Sequence, residues 1–337
     1  MRVAVVGAGA IGGLVGARLA LAGEDVTCIV RGANLQAIRT GGLRLLLADG
    51  TEQVAQEVRA TDDCTTAGPQ DVVVIAVKAH QLPGLAPQLT PLIGPATCIV
   101  PMQNGVPYWY FHRHGGALEG TVLRSVDPEG ALGRWLPPHQ VLGCVVYPAS
   151  ELTAPGVVRH VEGNRLPLGE LDGTRSERVL RVAESFTRAG FKAPVLDDIR
   201  GEIWLKLWGN LSFNPISALG HATLADICGY PATRELAASM MQEAAEVAGK
   251  LGVQFRVSLA QRIAGAEKVG HHKTSMLQDI EAGRAPETDA LMGSVLELAR
   301  LTATPTPHIA ALHALVKLLS HTMAREGGYV RLQALTT

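Results

Sequence analysis

The chain has 337 residues, enough for two domains that each bury a core of their own. Its net charge of −1 gives no broad field for holding nucleic acid or an anionic membrane surface. Apolar residues make up 47% of it but are dispersed among charges, and the cysteines (Cys28, Cys64, Cys98, Cys144, Cys228) form no C-x-x-C pair, so free buried thiols in a reducing, cytoplasmic compartment are expected.

The chain opens on a short apolar run, Arg2 to Val6. Gly7-Ala8-Gly9-Ala10-Ile11-Gly12 follows at once, then a small-residue helical stretch from Gly13 to Ala22, then a second apolar run, Val26 to Val30. Strand, glycine turn, helix, strand is the order that binds a dinucleotide. Gly7 permits the tight turn, Gly9 lets the backbone approach a pyrophosphate, and Gly12 lets the helix pack close to the strand. The free N–H groups at the helix start then face the phosphates. A membrane span or signal segment is at odds with the glycines and with Arg18, which would sit inside the bilayer. A glycine turn with no ligand is the plain alternative. The second run ends on Arg31, where an NAD site carries Asp or Glu. A guanidinium suits the 2′-phosphate of NADP, so NADP(H) is the expected cofactor; a solvated arginine at a strand end is the other reading.

Asn34 to Thr40 reads as a short helix, and Leu43 to Leu47 and Gln53 to Val58 as paired strands around the Asp49-Gly50 turn. Asp71 to Val77 is a continuous apolar run ending in Lys78, as suits a parallel strand buried on both faces. Leu82 to Leu92 is a helical segment interrupted by proline. Thr97 to Val100 is another buried strand, leading into Met102-Gln103-Asn104-Gly105. Short strands are expected at about 121–126, 141–147, 157–161 and 165–168, then a helix at about 175–189 and a strand at 192–196. From Ile199 the periodicity is helical throughout, at about 199–213, 232–251, 255–267, 275–282, 287–302 and 307–325, with no strand pattern. The expected architecture is an α/β Rossmann-type dinucleotide-binding domain over 1–197 and an all-α domain over 198–337. His112-x-His114 and His271-His272 have no further ligands at metal-site spacing, so no metal is expected.

Within the helical half, Glu202, Lys206, Asn210 and Asn214 fall at successive i+4 steps and form one polar stripe. Ile203, Trp204, Leu207, Trp208 and Leu211 cover the other faces, so the helix is expected to be buried. Two readings stand: a Glu202–Lys206 pair on a solvated edge, or a cleft lined by an ammonium and two amides. Asparagine disfavours helix interiors, which supports the cleft. Pro215 biases Asn214 out of helical geometry, so the helix is expected to break or kink there.

These residues carry a resemblance over nearly the whole chain. Gly7-Ala8-Gly9-Ala10-Ile11-Gly12, Arg31, Val77-Lys78-Ala79, Gln103-Asn104-Gly105, Glu202-Ile203-Trp204-x-Lys206-Leu207-x-x-Asn210-x-x-x-Asn214-Pro215, Ser275-Met276-Leu277-Gln278-Asp279-Ile280 and Glu287-x-Asp289 resemble the ketopantoate reductases (2-dehydropantoate 2-reductases), with a helical domain of the 6-phosphogluconate dehydrogenase C-terminal type. The resemblance implies NADPH-dependent reduction of 2-dehydropantoate to (R)-pantoate, in pantothenate and coenzyme A synthesis, with Lys206 as general acid. It implies that Asn210 and Asn214 hold the hydroxyl or keto region of a 2-oxo acid and that Ser275 meets its carboxylate. Asn104 then touches both cofactor and substrate. Lys78 and Arg31 become cofactor contacts, as does Ala149 by a looser match, and Glu287 an acid beside the nicotinamide ribose. A homodimer through the helical domain is what the resemblance suggests.

Local readings stand beside these. Asn104-Gly105 reads as a tight turn, Ser275 with Gln278 as a capping box, and Glu287 after Pro286 as a helix-dipole residue. The chain also departs from the family. Val106 to about Gln140 is longer than expected and gathers Tyr108, Trp109, Tyr110 and Phe111, as a packing cluster or as a pocket wall. His272 stands where asparagine is common, Val146-Tyr147-Pro148-Ala149 replaces a Thr-His-Ala-type stretch, and 220–226 offers no clear polar match. Two further functions therefore remain in view: a related reductase for a different, bulkier 2-oxo acid, and a non-catalytic NADP-binding sensor.

Overall fold

The computed structural model describes residues 1–333. Its α/β unit comprises Met1–Asn104, Tyr108–Val122 and Asp127–Arg200; the helical unit comprises Gly105–Pro107, Leu123–Val126 and the chain from Gly201. The strands in chain order are β1 (Arg2–Val6), β2 (Asp25–Ile29), β3 (Leu43–Leu46), β4 (Glu52–Ala55), β5 (Arg59–Thr61), β6 (Val72–Ile75), β7 (Cys98–Pro101), β8 (Gly143–Cys144), β9 (Ala149–Ala154), β10 (Val157–Glu162) and β11 (Leu168–Gly169).

The main sheet is parallel throughout, in the order β5-β2-β1-β6-β7. The strands β1 and β6 at its centre are valine-rich, and β6 and its neighbour β7 are buried from end to end. Such strands suit a sheet covered on both sides, because β-branched side chains pack well on a pleated surface. The register sets Val6 opposite Ile29 and Ile75, and Ile75 opposite Pro101. The connections after β1, β2, β6 and β7 therefore leave from one edge of the sheet. Ligands bind at that carboxyl edge in open α/β folds.

A second sheet, β4-β3-β10-β9, lies against the helix Ala10–Leu21. The approach is close: a Cβ on Gly13 would stand 2.4 Å from Val158 Cγ2. Sequence patterning missed the short edge strand β5, and it also missed β9. Most of its residues are exposed, so it has no buried face to produce alternation, and only the Pro155-Gly156 turn signals it.

The strand expected at 121–126 does not form. The amides of Arg124 and Ser125 donate instead to the Glu297 carboxylate, at 2.8 and 2.9 Å, and so have no ladder to join. The strand expected at 192–196 is reduced to single bridges at Lys192 and Val195. The aromatic segment is core packing. Trp109, Tyr110 and Phe111 are each no more than 2% exposed, and the Arg200 guanidinium donates to the carbonyls of Tyr110, His112 and Leu171. This fixes the segment in place, with a T-shaped Tyr110–Phe111 pair at 5.0 Å.

Among the described residues no strand follows Gly169. The helical unit holds the helices Ile199–Gly220, Leu224–Gly229, Pro231–Lys250, Leu259–Val269, Ser275–Glu281, Ser294–Leu301 and Pro307–Glu326, the first of which begins at the end of the α/β unit. The helix expected to break or kink at Asn214 does not break: it runs on to Gly220 with Pro215 inside it. Residues 211–218 are all buried, and that packing outweighs the backbone bond that Pro215 cannot make. The helix expected at 287–302 starts as a π-turn, Asp289–Gly293. No described helix is long and apolar enough to cross a membrane, and all five cysteines are buried thiols.

Candidate functional site

The glycine turn follows β1 directly. Gly7 has φ +87°, a conformation other residues adopt only with strain, and a Cβ there would lie 2.7 Å from Val77 Cγ1. A Cβ on Gly12 would lie 1.9 Å from the Gly7 carbonyl oxygen, so only glycine lets the helix start this close to the turn. A Cβ on Gly9 would meet nothing within 4 Å. The helix Ala10–Leu21 begins there with no side-chain cap and no acidic residue in its first turn. Ala8, Ala10 and Ile11 complete a bare helix N-terminus fronted by open space. Backbone N–H groups and the positive end of the helix dipole make such a place suited to an anion.

Three more expected residues leave the same sheet edge. Arg31, after β2, is exposed and precedes the helix Gly32–Gly41. Lys78, after β6, is partly exposed and precedes a short turn of 3₁₀-helix. Asn104 follows β7 and is partly exposed. Gln103 Nε2 reaches back to the Val77 carbonyl at 3.2 Å and ties the Lys78 and Asn104 segments together. The next residue, Gly105, belongs to the helical unit. It has φ +91°, and a Cβ there would come within 2.1 Å of the Ala290 carbonyl oxygen. Ala149 does not leave a strand of the main sheet; it begins β9 in the second sheet.

In the helical unit, Ile203, Trp204, Leu207, Trp208 and Leu211 are buried, as the stripe pattern requires. Trp208 stacks on Phe255 at 4.1 Å and donates to the Met241 carbonyl at 2.7 Å. The stripe is not uniform. Glu202 is 1% exposed and pairs with Arg256 at 2.7 Å, a partner that spacing within the helix could not reveal. Lys206 and Asn210 are partly exposed, and Asn214 is only 5% exposed. Neither the Asn210 nor the Asn214 amide hydrogen-bonds to another described residue. Both side-chain amides therefore keep their donors and acceptors open to a polar group.

The capping box expected of Ser275 with Gln278 does not form. Thr274 is the N-cap, accepting from the Leu277 amide, and Ser275 becomes the exposed first residue of its helix. Its hydroxyl is thus released from capping. Glu287 is partly exposed, two residues before Asp289 in the π-turn. Asp289 accepts from Lys317 at 2.8 Å and meets His313 Nε2 at 3.2 Å. These partners hold its carboxyl down at about 2. The π-turn and this anchor were missed by sequence reasoning; only the spacing Glu287-x-Asp289 hinted at them. The described residues bring together no group of three or more His, Cys, Asp or Glu side chains that could hold a metal ion.

Similarity to known proteins identifies the family. A family model described as Ketopantoate reductase PanE/ApbA matches residues 3–173, and its C-terminal counterpart matches residues 198–320. A 2-dehydropantoate 2-reductase of Mesorhizobium japonicum is 54% identical over 321 residues, covering 95% of this chain and 98% of that protein. A solved structure from Ralstonia solanacearum MolK2, assigned as a ketopantoate reductase, is 44% identical with a TM-score of 0.91, covering 97% of this chain and 99% of its own. D-mandelate dehydrogenase, solved with NADH and anilino(oxo)acetate, is 21% identical with a TM-score of 0.83, covering 96% of this chain and 100% of its own; it shows the shared fold alone. With an uncapped glycine turn at the edge of a parallel sheet, and both family models matched in order, the chain belongs to the ketopantoate reductases, a family of dinucleotide-binding oxidoreductases.

Proposed function

We propose that this chain reduces 2-dehydropantoate to (R)-pantoate with NADPH, in the cytoplasmic synthesis of pantothenate and coenzyme A. The observation that carries the reading is the stripe: an ammonium and two amides that bond to no other described side chain or carbonyl, on a helix otherwise committed to the core. The 54% identity to a 2-dehydropantoate 2-reductase supports the substrate.

NADPH, when bound, would supply the hydride that the 2-keto carbon takes up. Negative charge then grows on the keto oxygen. Lys206 holds a proton at Nζ, stabilises that charge and delivers the proton, giving the 2-hydroxy acid. Asn210 and Asn214 orient the acid through its keto and hydroxyl oxygens. Ser275 meets the carboxylate, helped by the N-terminal end of its helix. Residues 7–12 cradle the pyrophosphate, and Arg31 reads the 2′-phosphate by charge and geometry. Lys78, Ala149 and Glu287 line the rest of the cofactor's path, and Asn104 serves both ligands. The helical unit is the expected surface for a homodimer.

Because the rings of Trp109, Tyr110 and Phe111 are core, their clustering does not speak for a bulkier acid. The test is a panel of 2-oxo acids given to purified protein with NADPH, followed by nicotinamide absorbance. Oxidation with 2-dehydropantoate far above the others is expected. Turnover of other acids alone would replace the substrate, and tight NADPH binding without turnover would make the protein a sensor.

A further inference from the structure

The helix that follows Arg31 carries Asn34 in its first turn. This side chain is engaged at both ends. Its Nδ2 donates to the Ala8 carbonyl oxygen at 3.2 Å, and its Oδ1 accepts from the Gly156 amide at 3.0 Å. One amide thus joins three backbone segments: the glycine turn, the helix after Arg31, and the turn between β9 and β10. An amide side chain offers the donor and the acceptor for this on two separate atoms.

The bond to Ala8 acts on the next residue. The Ala8–Gly9 peptide is trans and planar, so its C=O and N–H point in opposite directions. A carbonyl pinned toward Asn34 therefore aims the Gly9 N–H away from Asn34. That N–H donates to no other described residue. The space in front of Gly9 is open, and the helix behind it has no side-chain cap. We propose that Asn34 is a positioning residue for the dinucleotide: by holding the Ala8 carbonyl it fixes the Gly9 N–H in the direction from which it donates to the pyrophosphate. A donor held in place before the ligand arrives need not be ordered at the moment of binding, and affinity rises accordingly. The proposal rests on the dinucleotide reading of the glycine turn. Asn34 differs from Arg31 in what it serves, since the pyrophosphate is common to NADPH and NADH while the 2′-phosphate is not.

The full chain is titrated with NADPH and NADH by fluorescence and with 2′-AMP by calorimetry, as wild type and as Asn34→Ala. Both dinucleotides should bind about tenfold more weakly to the variant, by the same factor, with 2′-AMP unchanged because it has no pyrophosphate. A loss confined to NADPH, an equal loss for 2′-AMP, or unchanged affinity for both dinucleotides overturns the proposal. Asn34→Asp keeps the acceptor for Gly156, removes the donor to Ala8 and adds a negative charge, whose general repulsion of phosphate is read separately by the 2′-AMP titration. It should show the dinucleotide loss even where the alanine variant folds poorly. Wild-type protein that binds neither dinucleotide overturns the cofactor reading, and the proposal with it.

Discussion

Replacing Gly9 with alanine should leave the fold intact while weakening nucleotide binding. Gly9 has φ −75° and ψ −156°, at the edge of the extended region and on the negative-φ side that alanine shares. Its new Cβ would meet no protein atom within 4 Å. Fewer conformations are then open to the unfolded chain, and stability should rise by about 0.4–1 kcal/mol. The melting temperature of the nucleotide-free protein should therefore hold or climb by about 1–4 °C. The same methyl group stands where a phosphate must come to reach the Gly9 N–H. Loss of one hydrogen bond to a charged group costs about 1.5–3 kcal/mol, which weakens NADPH about 10–100-fold. Gly12→Ala is the contrast. Its Cβ would lie 1.9 Å from the Gly7 carbonyl oxygen, so folding and binding should fall together. Thermal melts without ligand, paired with fluorescence titrations, separate the two cases. A Gly9→Ala protein that binds NADPH as wild type does, or that melts well below it, refutes the placement of the pyrophosphate at this turn.

Two further outcomes follow from charged groups. Arg31→Glu should weaken NADPH far more than NADH in equilibrium titrations, because a carboxylate repels the 2′-phosphate and suits a ribose hydroxyl; equal losses would remove the NADP assignment. Asp289 has its carboxyl lowered to about 2 by His313 and Lys317, against about 3.9 when unfolded. Its folded value is depressed, so its contribution to stability is present above about pH 4 and is lost as the pH falls towards 2. Urea melts across that window should show a flatter acid decline for Asp289→Asn than for wild type, and parallel curves would contradict the pairing.

The sequence made the glycine turn legible because each of its constraints is local. Gly7, Gly9 and Gly12 answer to a bond rotation, an open approach and a close contact within a dozen residues. The valine-rich strands were legible because burial on both faces leaves an uninterrupted apolar run, as in β6 and β7. The polar stripe was legible as periodicity, but its division was not. That Glu202 turns to Arg256 while Lys206 and Asn210 stay accessible depends on residues far along the chain. Long-range partners also explain the errors. Glu297 takes the amides that a strand at 121–126 would have needed, and packing carries the helix through Pro215. Thr274 and Ser275 could each have capped the same helix by composition; the backbone chose Thr274. Asn34 left no signal, because its partners Ala8 and Gly156 lie in other segments.

The central claim is that the Lys206 ammonium supplies the proton as hydride reaches a 2-keto carbon. It is tested most directly by comparing wild type with Lys206→Ala for turnover of 2-dehydropantoate, with NADPH affinity measured on the same preparations. Turnover should fall by about 10²–10⁴-fold while NADPH binds as before. A variant that still reduces the acid at close to the wild-type rate would contradict the assignment of the proton donor and the reaction built on it.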